Sequence, residues 1–152
     1  MKLLAFALLA FVTSLPAAEA PLLKDNFSDP SLKTRRAMRG DWKYASGVAT
    51  CTQDDALYKK FKDHGPIIFY DLAHTDATVR FSFQAEGVKS FVFTANGEKG
   101  HVFRFVMSAT GTSVRAFPTD KLDVKSIALA TEHLPLKSGE WIPVEVKLHV
   151  AG

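Results

Sequence analysis

Hydrophobic and polar residues alternate with a period of two through several stretches of this chain. That is the spacing of strands with one face against a core and the other toward solvent. Val79, Phe81 and Phe83 alternate with Arg80, Ser82 and Gln84. Phe91 and Phe93 alternate with Ser90, Val92 and Thr94, and Phe103, Phe105 and Met107 with Val102, Arg104 and Val106. Ile142, Val144, Val146, Leu148 and Val150 alternate with Pro143, Glu145, Lys147 and His149. Further strands are predicted over residues 41–44 and 48–52, joined by the turn signal Ala45-Ser46-Gly47, and over 66–72, 112–117 and 126–131. Asn96-Gly97 and Thr110-Gly111 supply turn residues. Residues 54–65 read as a polar loop with one helical turn around 56–61. No heptad, long amphipathic helix or fixed repeat interrupts this pattern. Many short strands with regular turn signals predict an all-β fold, an antiparallel β-sandwich.

The same periodicity assigns faces. The phenylalanines of these strands fall on one side, expected to be the core between two sheets. The other side carries Arg80, Ser82, Gln84, Thr94, Arg104, Arg115, Glu145, Lys147 and His149. If the strands are neighbours, these residues form a single polar, cation-rich face.

The N-terminus reads differently from the rest. Lys2 precedes an apolar run over 3–15, Pro16 breaks it, and Ala18-Glu19-Ala20 fits a small-x-small cleavage site. The run is shorter than the ~20 apolar residues that span a bilayer. Residues 1–20 are therefore expected to be a Sec-type signal peptide and 21–152 a single domain, secreted or periplasmic, with no membrane span in the mature chain. At the other end, the strand over 141–150 leads into Ala151-Gly152, a turn start with no partner strand after it. The domain is expected to be incomplete at its C-terminus.

Charge adds little. The formal net charge is +3, and Arg35-Arg36 and Lys59-Lys60-Phe61-Lys62 are the only basic clusters. Neither belongs to a recognisable nucleic-acid module, so both read as solvated charge and no nucleic-acid partner is expected. The only cysteine, Cys51, rules out an intrachain disulfide and is expected to behave as a small buried hydrophobe within its strand.

Four motifs carry a family resemblance: Asp25-Asn26-Phe27; Gly40-Asp41-Trp42 with Ser46-Gly47-Val48; Gly100-His101-x-x-Arg104; and Gly139-Glu140-Trp141 with Val144-x-Val146. Over residues 25–152 the chain resembles the concanavalin A-like lectin/glucanase (LamG-like) sandwiches, and among them the exported bacterial proteins of the 3-keto-disaccharide hydrolase domain type. The resemblance implies a jelly roll whose curved sheet meets carbohydrate. It also implies further strands beyond the equivalent of Gly152.

The residues themselves narrow the chemistry. Glycoside hydrolysis uses two carboxylates about 5–9.5 Å apart, and no predicted strand carries two acidic residues two positions apart. Asp71, Asp76, Glu86 and Glu145 stand singly. His64, His74, His101, His133 and His149 are scattered, without metal-ligand spacing. No cofactor is expected. A structural calcium would have only Asp54-Asp55 or Asp120 and Asp123 to draw on, and these read as solvated loop acids.

The best ligand-binding candidates are Arg80, Gln84, His101 and Arg104, with planar or multi-donor heads suited to sugar hydroxyls or an acidic group. Tyr70, Tyr58 or Trp141 could stack on a sugar ring. A plain solvated sheet exterior would also place Arg80 and Arg104 outward, with Glu145 as a partner. The leading expectation is an exported carbohydrate-binding module that recognises a glycan or polysaccharide on a polar sheet face. A glycan-cleaving hydrolase or lyase of the 3-keto-disaccharide type is the first alternative, and a structural envelope protein the second.

Overall fold

Local chemistry sets the first elements. The computed structural model describes residues 20–118 and 125–149. Residues 1–19 of the expected leader, Asp120 and Asp123, and the chain beyond His149 lie outside the described residues. Strands β1 (Arg35–Met38), β2 (Asp41–Ala45), β3 (Val48–Thr52) and β4 (Ile67–Tyr70) and the short helix α1 (Asp55–Lys60) come first. β2 and β3 form the expected hairpin, with Trp42 opposite Cys51. Ser46 and Gly47 both take positive φ, 51° and 76°. That is the left-handed pair which matches the twist of a two-residue hairpin, and glycine bears the more extreme position without strain. α1 starts where Asp54 accepts the Leu57 N–H at 2.8 Å and ends with Lys59 and Lys60 in its last turn, complementing the helix dipole.

The chain divides into two compact units, with the boundary in the sequence between Ala73 and His74. In the first, β1 pairs antiparallel with β4 and β2 with β3. The sequence reading of Arg35-Arg36 as solvated charge is corrected in part. Arg35 is only 7 % exposed, the one residue of this unit in the buried class among those described. Arg36 remains exposed and is paired with Asp71. Cys51 is half-buried and its thiol is pushed up to about 11 by desolvation and the nearby Asp41 carboxylate. It is un-ionised at neutral pH, which removes the nucleophilic form.

The second unit contains the antiparallel sandwich. Its strands are β5 (Ala77–Gln84), β6 (Ser90–Gly97), β7 (Gly100–Ser108), β8 (Gly111–Ala116), β9 (Ile127–Glu132) and β10 (Trp141–Leu148). β6-β7-β8-β9 form one four-stranded sheet and β5 pairs with β10 in a second layer. The two-residue links fall at Glu98-Lys99 and Ala109-Thr110, so Gly97, Gly100 and Gly111 flank the turns rather than occupy them.

The phenylalanine stripe joins the layers. Phe83 stacks on Phe91 with ring centroids 3.7 Å apart, and Phe81 lies 5.8 Å from Phe91 and 5.6 Å from Phe93. Phe83, Ala85 and Met107 form the buried centre, ringed by Phe81, Phe91, Phe105, Leu136, Ile142 and Val144. Residues 133–140 carry the chain from the four-stranded sheet to the second layer. Thr112 Oγ1 donates to the Leu134 carbonyl at 2.7 Å, Leu136 N–H to Ser108 O at 2.8 Å, and Gly139 N–H to Ala85 O at 2.8 Å.

Candidate ligand-binding site

Strict alternation on β5 and β10 presents a regular outer face. Thr78, Arg80, Ser82 and Gln84 point away from the core, opposite Lys147, Glu145, Pro143 and Trp141 in that register. Facing side chains on such a ladder lie about 5 Å apart and successive rows about 7 Å apart. Pro143 is tolerated because β5 is the only strand partner of β10 among the described residues, so the missing N–H can fall on a free edge.

At one end stands Trp141, 53 % exposed. Beside it Gln84 donates one amide N–H to Gly139 O at 2.6 Å, which fixes the head and leaves a second N–H and the carbonyl free. At the other end Arg80 Nε donates to Glu145 Oε2 at 2.7 Å, and Lys147 Nζ lies 3.3 Å from Glu145 Oε1. A shallow depression of about 430 Å³ runs over Arg80, Phe81, Ser82, Pro143, Val144 and Glu145. The hydrogen bond from Arg80, then that from Lys147, holds the Glu145 carboxyl below its ordinary range. Glu145 is therefore an ionised acceptor at neutral pH.

The expected single polar face is corrected here. Phe81 and Phe83 meet Phe91 and Phe93 across the core, so the polar sides of β5 and of β6–β7 point away from each other. Arg80 and Gln84 share one face. Arg104 and His101 belong to the other, where Thr94, Arg104 and Arg115 form one cross-strand row. His101 Nδ1 lies 2.6 Å from Asn96 Oδ1, and its ring packs edge-on against Phe117 at 5.7 Å. Burial, then the Arg104 charge, lowers its pKa.

Tyr70, the fifth candidate, lies in the first unit and serves a different network. It stands opposite Arg35 in the β1–β4 register and its hydroxyl donates to Asp25 Oδ2 at 2.8 Å. Arg35 Nη1 donates to both Asp25 oxygens, at 2.9 and 2.7 Å, and its Nη2 to Asp29 O. The guanidinium carbon lies 4.4 Å from the Tyr44 ring centroid and 5.5 Å from that of Phe27. Burial raises the Asp25 pKa, but the Phe27 N–H, the Tyr70 hydroxyl and Arg35 outweigh it and leave the carboxyl below 3.8.

The sign of this shift fixes a pH dependence. A carboxylate depressed by folding stabilises the folded state fully above its unfolded pKa and ceases to do so as pH falls through its folded value. Residues 20–73 are expected to lose stability from about pH 3.8 downward, and Asp25→Asn to flatten that acid limb. Amide exchange of β1–β4 against pH checks it; an acid limb unchanged in the variant would contradict it.

The Asp25 charge opposes ionisation of Asp29, but both carboxyls are held low, Asp29 by the hydroxyl and N–H of Ser31. A general acid at neutral pH needs the opposite displacement. Among the described residues no group of three or more His, Cys, Asp or Glu comes together as a metal site, and Asp54 is occupied as a helix cap. No helix among them is long and apolar enough to cross a membrane.

No protein-family model matches the chain, and neither a curated protein nor a solved structure does.

Proposed function

We propose that this protein is an exported carbohydrate-binding β-sandwich module, of the concanavalin A-like kind, whose glycan lies along the outer face of β5 and β10. The observation that carries this reading is the order of groups on that face: an exposed Trp141 ring, the half-free Gln84 amide, Ser82, and the Arg80–Glu145 pair. A pyranose has an apolar ring face and equatorial hydroxyls. The first suits an indole, and the second suit planar amide, guanidinium and carboxylate groups that both donate and accept. The hydrogen-bonded pair is already oriented, so little side-chain freedom is lost on binding.

The reading is binding without turnover. Glu145 is the only carboxylate on the ladder, it is kept ionised by two cations, and no second acid faces it there. Neither retention nor inversion of a glycosidic bond can be assembled from one such group.

Retention on insoluble polysaccharides (β-glucan, xylan, mannan and chitin) tests the proposal. At least one is expected to retain the protein, and Trp141→Ala to weaken that retention about tenfold or more, as loss of a central aromatic contact does. The exposed ring contributes little to the fold, so stability should change by less than about 0.5 kcal/mol. Undiminished retention of a folded Trp141→Ala variant, or none by the wild type, sinks the proposal.

A further inference from the structure

We propose that the Arg104–Arg115 pair, on the outer face of the four-stranded sheet, is an anion-binding site that takes the carboxylate or sulfate of an acidic saccharide. The saccharide part rests on the glycan reading above; the anion site does not.

The two arginines are direct cross-strand partners on β7 and β8. Like charges in that position repel. Both are half-buried and their surroundings are apolar or uncharged. Thr94 completes their row, Val92, Val106 and Ser113 form the row on one side, and Val102 and Phe117 lie on the other. Such neighbours withhold the solvent that would screen the pair.

No carboxylate answers either charge among the described residues. Every other arginine engaged with a carboxylate has its own: Arg35 with Asp25, Arg36 with Asp71 and Arg80 with Glu145. Arg115 instead points Nε and Nη2 at the Ser126 hydroxyl, 2.9 and 2.7 Å away, which holds the head in place and leaves Nη1 uncommitted. The Arg104 head rests over the Phe117 ring at 5.4 Å, and its Nε is buried without an acceptor. The Nη1 and Nη2 groups of Arg104 make no hydrogen bond among the described residues either, and unlike Nε they are not closed off, so they are the donors that an oxyanion would meet.

The pair therefore combines charge, orientation and missing acceptors. A single oxyanion bridging two guanidinium groups satisfies all three. The cations form a compact pair rather than a long stripe, which fits one acidic substituent on a short sugar segment better than an extended polyanion.

The probes are sodium sulfate, trigalacturonate and the neutral galactotriose, added to the whole chain at low salt and followed by NMR. Trigalacturonate is expected to bind at least tenfold more tightly than galactotriose and to shift the side-chain N–H signals of Arg104 and Arg115. Sulfate alone should bind weakly at the same place and raise the His101 pKa, because it offsets the neighbouring Arg104 charge; this readout needs no variant. The double variant Arg104→Gln, Arg115→Gln should lose the preference for the acidic sugar and melt no lower than the wild type, since a repulsion has been removed. Equal affinity for the acidic and neutral sugars would overturn the proposal, as would an unmoved His101. Sulfate binding with no gain from the sugar would overturn the acidic-saccharide assignment. Trp141→Ala separates the two readings: it should leave sulfate binding intact even if the glycan face of β5 and β10 is misassigned.

Discussion

Replacing Arg35 with alanine is expected to cost the first unit about 3 kcal/mol or more, the range found when one partner of a buried ion pair is removed. The Arg35 side chain is 2 % exposed and that of Asp25 7 %. Three elements depend on the head: the turn at Asp25–Phe27, the carbonyl of Asp29, and the rings of Phe27 and Tyr44 on either side. Its loss leaves Asp25 with only the Phe27 N–H and the Tyr70 hydroxyl, and leaves a space between two aromatic rings. A unit of this size has a total stability on the order of 3–8 kcal/mol, so the variant should lose a large share of it and open over residues 20–73 about a hundredfold more often than the wild type. Hydrogen exchange of the β1–β4 amides measures this. Protection within tenfold of the wild type would show that the ion pair is not what holds the unit.

The second large effect is expected at Gly111, where alanine should cost about 3 kcal/mol from two additive sources. Gly111 has φ +143°, outside the range that L-residues adopt readily. A Cβ there would also sit 2.8 Å from the Glu132 carbonyl oxygen, which is backbone and cannot rotate away. That contact is where β8 begins to pair with β9, with Thr112 opposite Glu132. Gly87 supplies the control: its φ is +65°, but a Cβ would meet nothing within 4 Å. Gly87→Ala should cost only about 1 kcal/mol, the backbone part. Denaturant unfolding of both variants separates strain from clash. Equal losses would mean that β9 moves aside without cost.

How far the sequence reached depends on the kind of signal. The Ser46-Gly47 hairpin and the alternation of Phe81, Phe83, Phe91, Phe93, Phe103 and Phe105 are local patterns, and the elements and the core lie where those patterns put them. β1 left no such trace. Arg35-Arg36-Ala37-Met38 has no alternation and two charges, and its strand exists through pairing with β4 and an ion pair to a residue ten positions earlier.

The candidate site divided for a related reason. A period of two says which residues of one strand share a face, but not which strands are neighbours. Arg80 and Arg104 both alternate with phenylalanine, yet their strands belong to opposed layers. Trp141 and Gln84 were legible singly; their adjacency is a fact of register between β5 and β10. So is the juxtaposition of Arg104 with Arg115, eleven positions apart in the chain and opposite one another across β7 and β8.

The central claim, that the outer face of β5 and β10 receives a glycan, is tested most directly by NMR mapping with a neutral hexasaccharide of the polysaccharide that retains the protein. The account predicts shifts at the Trp141 indole N–H, the Gln84 side-chain amide and the Arg80 Nε–H, with the β6–β8 exterior unmoved. Shifts confined to Trp42, Tyr70 and other residues of the first unit, or none on β5 and β10, would contradict it.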